Sequence, residues 1–120
     1  MNKIPLITVV ANYFSCKDSN EFKFSTLNKI KNAVESHFLK EHNTFVYVDT
    51  SWDEISSVIE TYPNYFQYNQ NYTSIIFNEK LVNAFYEDLY SIFNKISDVE
   101  TSQRKIITFL ENYIENDLVE

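Results

Sequence analysis

Leu6-Ile7-Thr8-Val9-Val10-Ala11 decides how the rest of the chain is read. The run is rich in β-branched side chains and shows no strict alternation of apolar and polar residues. That pattern reads as a strand covered on both faces, the kind found in parallel sheets. Asn12-Tyr13-Phe14 follows directly, without a small-residue cleavage site, so the N-terminal segment reads as a strand and not as a signal peptide. Ser15 to Asn20 is polar turn chemistry. Glu21-Phe22-Lys23-Phe24 alternates, as a short second strand or the lead into a helix.

Downstream, strands and helices take turns. From Thr26, the residues Leu27, Ile30, Val34 and Phe38 recur at three and four and predict an amphipathic helix. Ser25 or Thr26 would cap its start, and His42-Asn43 would end it, with Asn in the left-handed position. Phe45 to Val48 predicts a strand. Ser51 and Glu54 form a capping-box pattern ahead of Ile55, Val58, Ile59 and Tyr62, and Pro63 stops that helix. Tyr65 to Tyr72 reads as a loop leading into a strand over Thr73 to Phe77. Glu79 opens a long helix carrying Leu81, Phe85, Leu89, Ile92, Phe93 and Ile96. After a break at Asp98 to Thr101, a last helix carries Ile106, Ile107, Leu110, Tyr113, Ile114 and Leu118. The expected order is β-α-β-α-β-α-α over residues 1–120. That is a single α/β domain of two or three layers, with a mostly parallel three-stranded sheet and a C-terminal helical hairpin.

Composition narrows the function. The chain has 120 residues and no glycine, where average usage of about 7% would give about eight. Phosphate-cradling loops, dinucleotide fingerprints and nucleophile elbows all need glycine for positive φ or close backbone approach, so those mechanisms are excluded. The abundance of Asn, Lys, Ile, Tyr and Phe beside scarce Gly, Pro and Arg points to an AT-rich gene, as in many mobile elements. Cys16 is the single cysteine, so no disulfide closes within the chain. No stretch approaches the roughly 20 apolar residues that span a bilayer. A cytoplasmic protein is expected. The net charge of −7 argues against nucleic-acid and anionic-membrane partners and favours basic ones.

Candidate chemistry is sparse. At the carboxyl ends of the expected parallel strands, Asp18, Asp49 and Glu79 would be placed to hold Mg²⁺ for phosphoryl transfer, though Asp49 and Ser51 equally serve as turn and cap residues. His37 and His42 lie five apart, a spacing that does not put two ligands on one helix face, and no zinc set is expected. Cys16 beside Lys17 offers at most a thiol of depressed pKa. No catalytic, cofactor or metal residue is assigned. The stretch from Thr61 to Asn78 carries no charged residue. In it Tyr62, Tyr65, Phe66, Tyr68 and Tyr72 form the expected contact set, because tyrosine combines a large apolar area with a hydroxyl; the alternative is that Phe66 and one or two of the tyrosines tuck under the loop as core. Trp52 reads as a helix-capping contact, with an interface anchor as the alternative. Glu87, Asp88, Glu111 and Glu115 are the expected acidic patch.

These features predict a small acidic binding module. It would be an inhibitor, immunity or anti-defence protein that neutralises a basic partner such as a nuclease by covering its surface. A homo-oligomeric assembly subunit and a metal-dependent phosphoryl-transfer enzyme are the competing expectations.

Overall fold

Pro5 precedes the decisive run, and Leu6–Cys16 is an α-helix, α1, in the computed structural model, which describes residues 2–81, 84, 87 and 101–120. The expected strand at Leu6 to Ala11 is therefore corrected. A buried helix and a buried strand both show continuous apolar sequence, and only length separates them. The apolar run continues through Tyr13 and Phe14, and eleven residues suit a helix. Pro5, at φ −59°, is the helix N-cap; the proline ring fixes φ near a value that leads straight into a helix. Every residue from Thr8 to Phe14 is buried, so α1 runs through the core with no solvent face over that stretch.

The strand that belongs at the N-terminus is the shorter Asn2–Ile4, β1. After α1 come β2 (Glu21–Lys23), α2 (Phe24–His42), β3 (Val46–Val48), α3 (Trp52–Thr61), β4 (Phe66–Tyr68) and β5 (Ser74–Phe77). A 3₁₀ turn at Glu79–Leu81 follows, then α4 (Thr101–Asn112) and a π turn at Tyr113–Asp117. The mostly parallel three-stranded sheet is overturned. β1 and β3 form a two-stranded parallel ladder, with Lys3 opposite Tyr47. β2, β5 and β4 form a separate antiparallel sheet in that order, with Phe22 opposite Ile75 and Phe66 opposite Phe77. One expected element changed role to make this possible, and a second took the forms expected of it. The loop at Tyr65 to Tyr72 contains β4, which pairs with β5 as a hairpin. The Glu21 to Phe24 segment is a sheet strand for three residues, and Phe24 already opens α2. Where the long helix from Glu79 is expected, Glu79–Leu81 is the 3₁₀ turn, and residues 84 and 87 are helical. Its positions Phe85, Leu89, Ile92, Phe93 and Ile96, and with them the hairpin, lie outside the described residues.

Helix ends follow local chemistry. The α2 stripe Leu27, Ile30, Val34 and Phe38 is buried, as its spacing requires. Its N-cap is Lys23 with no side-chain bond, so neither Ser25 nor Thr26 caps it. Asn43 ends it at φ 47°, and the Thr44 N–H reaches back 3.0 Å to the Phe38 carbonyl. Only half of the capping box at α3 forms. Ser51 Oγ accepts from the Glu54 N–H at 3.4 Å, while the Glu54 carboxylate turns to Lys3 Nζ at 3.3 Å. Asp49 takes the vacated role and accepts the Ser51 N–H at 2.9 Å. On β3, the Val48 N–H donates to Glu35 at 3.0 Å and its carbonyl accepts from Lys31 at 2.8 Å. Two α2 side chains thus satisfy backbone groups at the end of a short strand.

The buried apolar side chains form one core cluster around α1. Helix α1 packs against α3, α4 and the π turn, with Val9, Val10 and Leu110 fully enclosed. At the C-terminal end of α1, Phe14 meets Phe22, Phe66 and Phe77, while Tyr13 stacks on Phe22 at 3.9 Å between centroids. Two buried polar atoms on α1, Thr8 Oγ1 and Asn12 Oδ1, have no hydrogen-bond partner among the described residues. Leaving such a group unmet costs about 1–3 kcal/mol. Thr8→Val is therefore expected to stabilise the fold by about 1 kcal/mol, read as a higher urea midpoint at unchanged slope. A lower midpoint would show that the hydroxyl holds a buried water.

The C-terminal residues close over α1. Tyr13 Oη donates to Glu120 at 2.8 Å, and Lys29 Nζ donates to the Val119 carbonyl at 3.1 Å. Burial first, and then the Glu120 carboxylate, push the Tyr13 hydroxyl pKa far above its ordinary value of 10.0. A raised folded pKa contributes stability that is fully present below the unfolded value and is lost as pH rises through it toward the folded one. Chemical denaturation should thus show a steeper loss of stability above about pH 10 for the native chain than for Tyr13→Phe. Parallel curves would contradict the contribution of Tyr13.

Candidate functional site

The exposed aromatic surface is built where the first turns of α2 and α3 meet the β4–β5 hairpin. Ser51 fixes the start of α3 and so sets Trp52 at its first helical position. Phe24 does the same at the start of α2, and the two rings meet edge to face at 5.4 Å. Tyr68, the last residue of β4, lies 5.9 Å from Trp52 and anchors its hydroxyl 2.7 Å from Ser56 Oγ on α3. Tyr72 in the hairpin turn lies 5.2 Å from Tyr68. A continuous row of four rings results. Burial alternates along it: Phe24 and Tyr68 are half-buried, whereas Trp52 is 55% exposed and Tyr72 61% exposed.

Tyr72 is held there against its own backbone preference. Its φ is 55°, in the left-handed region that penalises a bulky residue. The turn compensates through Asn69, whose Oδ1 accepts from the Thr73 N–H at 2.7 Å and the Ser74 N–H at 3.1 Å. Asn69 Nδ2 also donates to Thr73 Oγ1 at 2.8 Å. With the turn fixed this tightly, the chain bears strain of about 1–3 kcal/mol at Tyr72 and keeps its ring in solvent. A groove of about 540 Å³ runs beside it, with Lys23, Phe24 and Tyr72 among its walls.

The expected contact set is thereby divided. Phe66 is core, and Tyr62 and Tyr65 pack against that core. Tyr68 and Tyr72 belong to the surface row. Phe24 was missed because it opens a helix from inside an alternating segment. Of the two readings of Trp52, the capping one is not taken up, since Ser51 supplies the cap and the ring is an exposed member of the row. A large ring immediately after a cap residue, with Asp53 and Glu54 in the same turn, was the signal for an outward side chain.

The acids fall elsewhere. Glu111 and Glu115 are exposed, and both raise the pKa of the nearby Cys16 thiol, so they share one flank of the α1 C-terminus. Glu87 is exposed, and Asp88 lies outside the described residues. Burial is the largest cause of the Cys16 shift, Ser15 opposes it, and the two glutamates add to it. The Cys16 thiol is thus held protonated, opposite to a reactive cysteine beside Lys17.

The metal reading loses its geometric basis. It required three parallel strand ends, and the first of those strands is α1. Asp49 is committed to the Ser51 N–H and faces Lys3 at 4.0 Å; the Ser51 bond is the main cause of its lowered pKa. Among the described residues no group of three His, Cys, Asp or Glu side chains is arranged to hold a metal ion. His37 and His42 lie 5.6 Å apart between ring centroids and pack on Phe38. No helix among the described residues is long and apolar enough to cross a membrane.

Comparison of the chain with protein-family models, with curated proteins and with solved structures finds no match.

Proposed function

We propose that this chain is a non-catalytic binding protein that covers the surface of a basic partner protein. An inhibitor, immunity or anti-defence protein acting on a nuclease in the cytoplasm would work this way. The observation that carries the reading is the row of Phe24, Trp52, Tyr68 and Tyr72, with Trp52 and Tyr72 in solvent and Tyr72 held at a strained φ. Exposed large aromatics in one row are the side chains that dominate interface energies, because they bury much area at little entropy cost. Backbone strain kept at a solvent-facing ring favours a functional reason for that ring. Asp53, exposed beside Trp52 and without an ion pair among the described residues, adds a rim acid. The net charge of −7 would steer a basic surface toward the patch.

The test is affinity capture of the tagged protein from its native cell, with the variants Trp52→Ala and Tyr72→Asn run in parallel. The expected result is one basic protein, recovered stoichiometrically by the native chain, released by salt and lost from both variants. Recovery of only the chain itself, or equal recovery by all three, would overturn the reading.

A further inference from the structure

A second groove, distant in sequence from the aromatic row, lies between the last turns of α2 and the outer face of α4 and encloses about 560 Å³. Its walls bring together His37, His42, Arg104, Lys105, Phe109 and Tyr113. Three of these form a stack. His37 lies on Phe109 at 4.2 Å with an 18° tilt, and Phe109 on Tyr113 at 5.9 Å with a 14° tilt. The helical repeat explains the stack: Lys105, Phe109 and Tyr113 are spaced by four, so they project along one line of α4 and the turn that follows it. Arg104, one position earlier, flanks that line and is the single arginine of the chain.

The charge distribution is unusual for this molecule. In a chain of net charge −7, two adjacent exposed cations line one groove, and neither has an ion pair among the described residues. Asp117 also borders the groove and pairs with neither. A guanidinium forks onto a phosphate or carboxylate through two parallel N–H bonds, and the neighbouring ammonium adds a point charge. The stacked rings cover part of one another's faces, and a further planar group meets what remains of them offset or edge to face. We infer that this groove binds a small planar aromatic phosphate of the nucleoside monophosphate class. Arg104 and Lys105 receive the phosphate, and the ring packs along His37, Phe109 and Tyr113. The site requires no glycine loop, because side chains and not backbone N–H groups meet the anion. It is independent of the aromatic row and of any protein partner.

Titration of the full chain with AMP at low ionic strength, followed by calorimetry and by backbone amide shifts, tests the assignment. AMP is expected to bind saturably, at least tenfold tighter than adenosine or inorganic phosphate alone, with shifts centred on residues 104–113 and 37–42. The double variant Arg104→Gln, Lys105→Gln changes only exposed side chains and should keep the native circular dichroism and Tm while losing at least tenfold in AMP affinity. Absence of saturation at millimolar AMP, adenosine binding as tightly as AMP, or unchanged affinity in the folded double variant would each overturn it.

Discussion

Phe14→Ala is expected to lower the unfolding free energy by about 3–5 kcal/mol, the cost of emptying a large aromatic site in a packed core. Total stability of a domain this size is about 5–15 kcal/mol, so the variant loses a large share of it. The ring lies edge-on to Phe22 and within 5.1 and 5.9 Å of Phe77 and Phe66, and it is 5% exposed. It therefore joins α1 to β2, β4 and β5, and no neighbouring ring can fill its place without breaking another contact. Urea denaturation of Phe14→Ala beside Phe45→Ala measures the effect. Phe45 is 62% exposed, and its variant should stay within about 0.5 kcal/mol of the native chain. The comparison also separates two folds. If Leu6 to Ala11 were a strand, Phe14 would lie beyond its end beside a polar turn, and its removal would cost little. A small loss at Phe14 would count against α1 as a core helix.

Trp52→Ala is expected to weaken partner binding by at least about 2 kcal/mol, roughly 30-fold in Kd, with little change in fold stability. Among the described residues the indole's ring contacts are edge-on with Phe24 and tilted with Tyr68, and more than half its surface faces solvent. Tyr72→Asn gives the sharper separation. Asparagine is at ease at a φ of 55°, so this variant should be as stable as the native chain or up to about 1 kcal/mol more stable. Binding should fall at the same time, because the exposed ring is gone. Stability and affinity would then move in opposite directions, the pattern of strain kept for function. The two readouts are a thermal melt and an association–dissociation trace with the captured partner. A Tyr72→Asn variant that binds as tightly as the native chain would remove Tyr72 from the interface.

The elements that could be read from the chain share one property: their signals are local. The α2 stripe, the Asn43 cap, the Ser51 cap and the stop before Pro63 each depend on residues within a turn or two of one another. The misread elements depend on what lies across space. Within Tyr65 to Tyr72 only Phe66-Gln67-Tyr68 alternates in burial, with Phe66 in the core and Tyr68 packed against it, and three residues are too short a signal. Nothing local marks it as a strand until β5 supplies a partner. The contact residues divide in the same way. Five aromatic residues of one uncharged segment are equivalent as sequence, yet Phe66 packs against Phe14 and Phe77 and Tyr72 faces solvent. The acidic pair Glu111 and Glu115 was legible as a shared face because a helical spacing of four is local. Its position beside Cys16 was not.

By itself the sequence determined the acidic charge, the absence of every glycine-dependent phosphate loop, and the helices whose apolar residues recur at three and four. It also supplied the aromatic residues from which a contact surface could be made. The tertiary structure alone decided that Leu6 to Phe14 is a helix, because an apolar run buried on all sides has no polar face to reveal its period. It decided as well that the strands divide into a parallel pair and an antiparallel sheet. Strand pairing is a choice of partners distant in the chain, made by the burial of Phe22, Phe66 and Phe77 around Phe14 and not by any property of the short strands themselves.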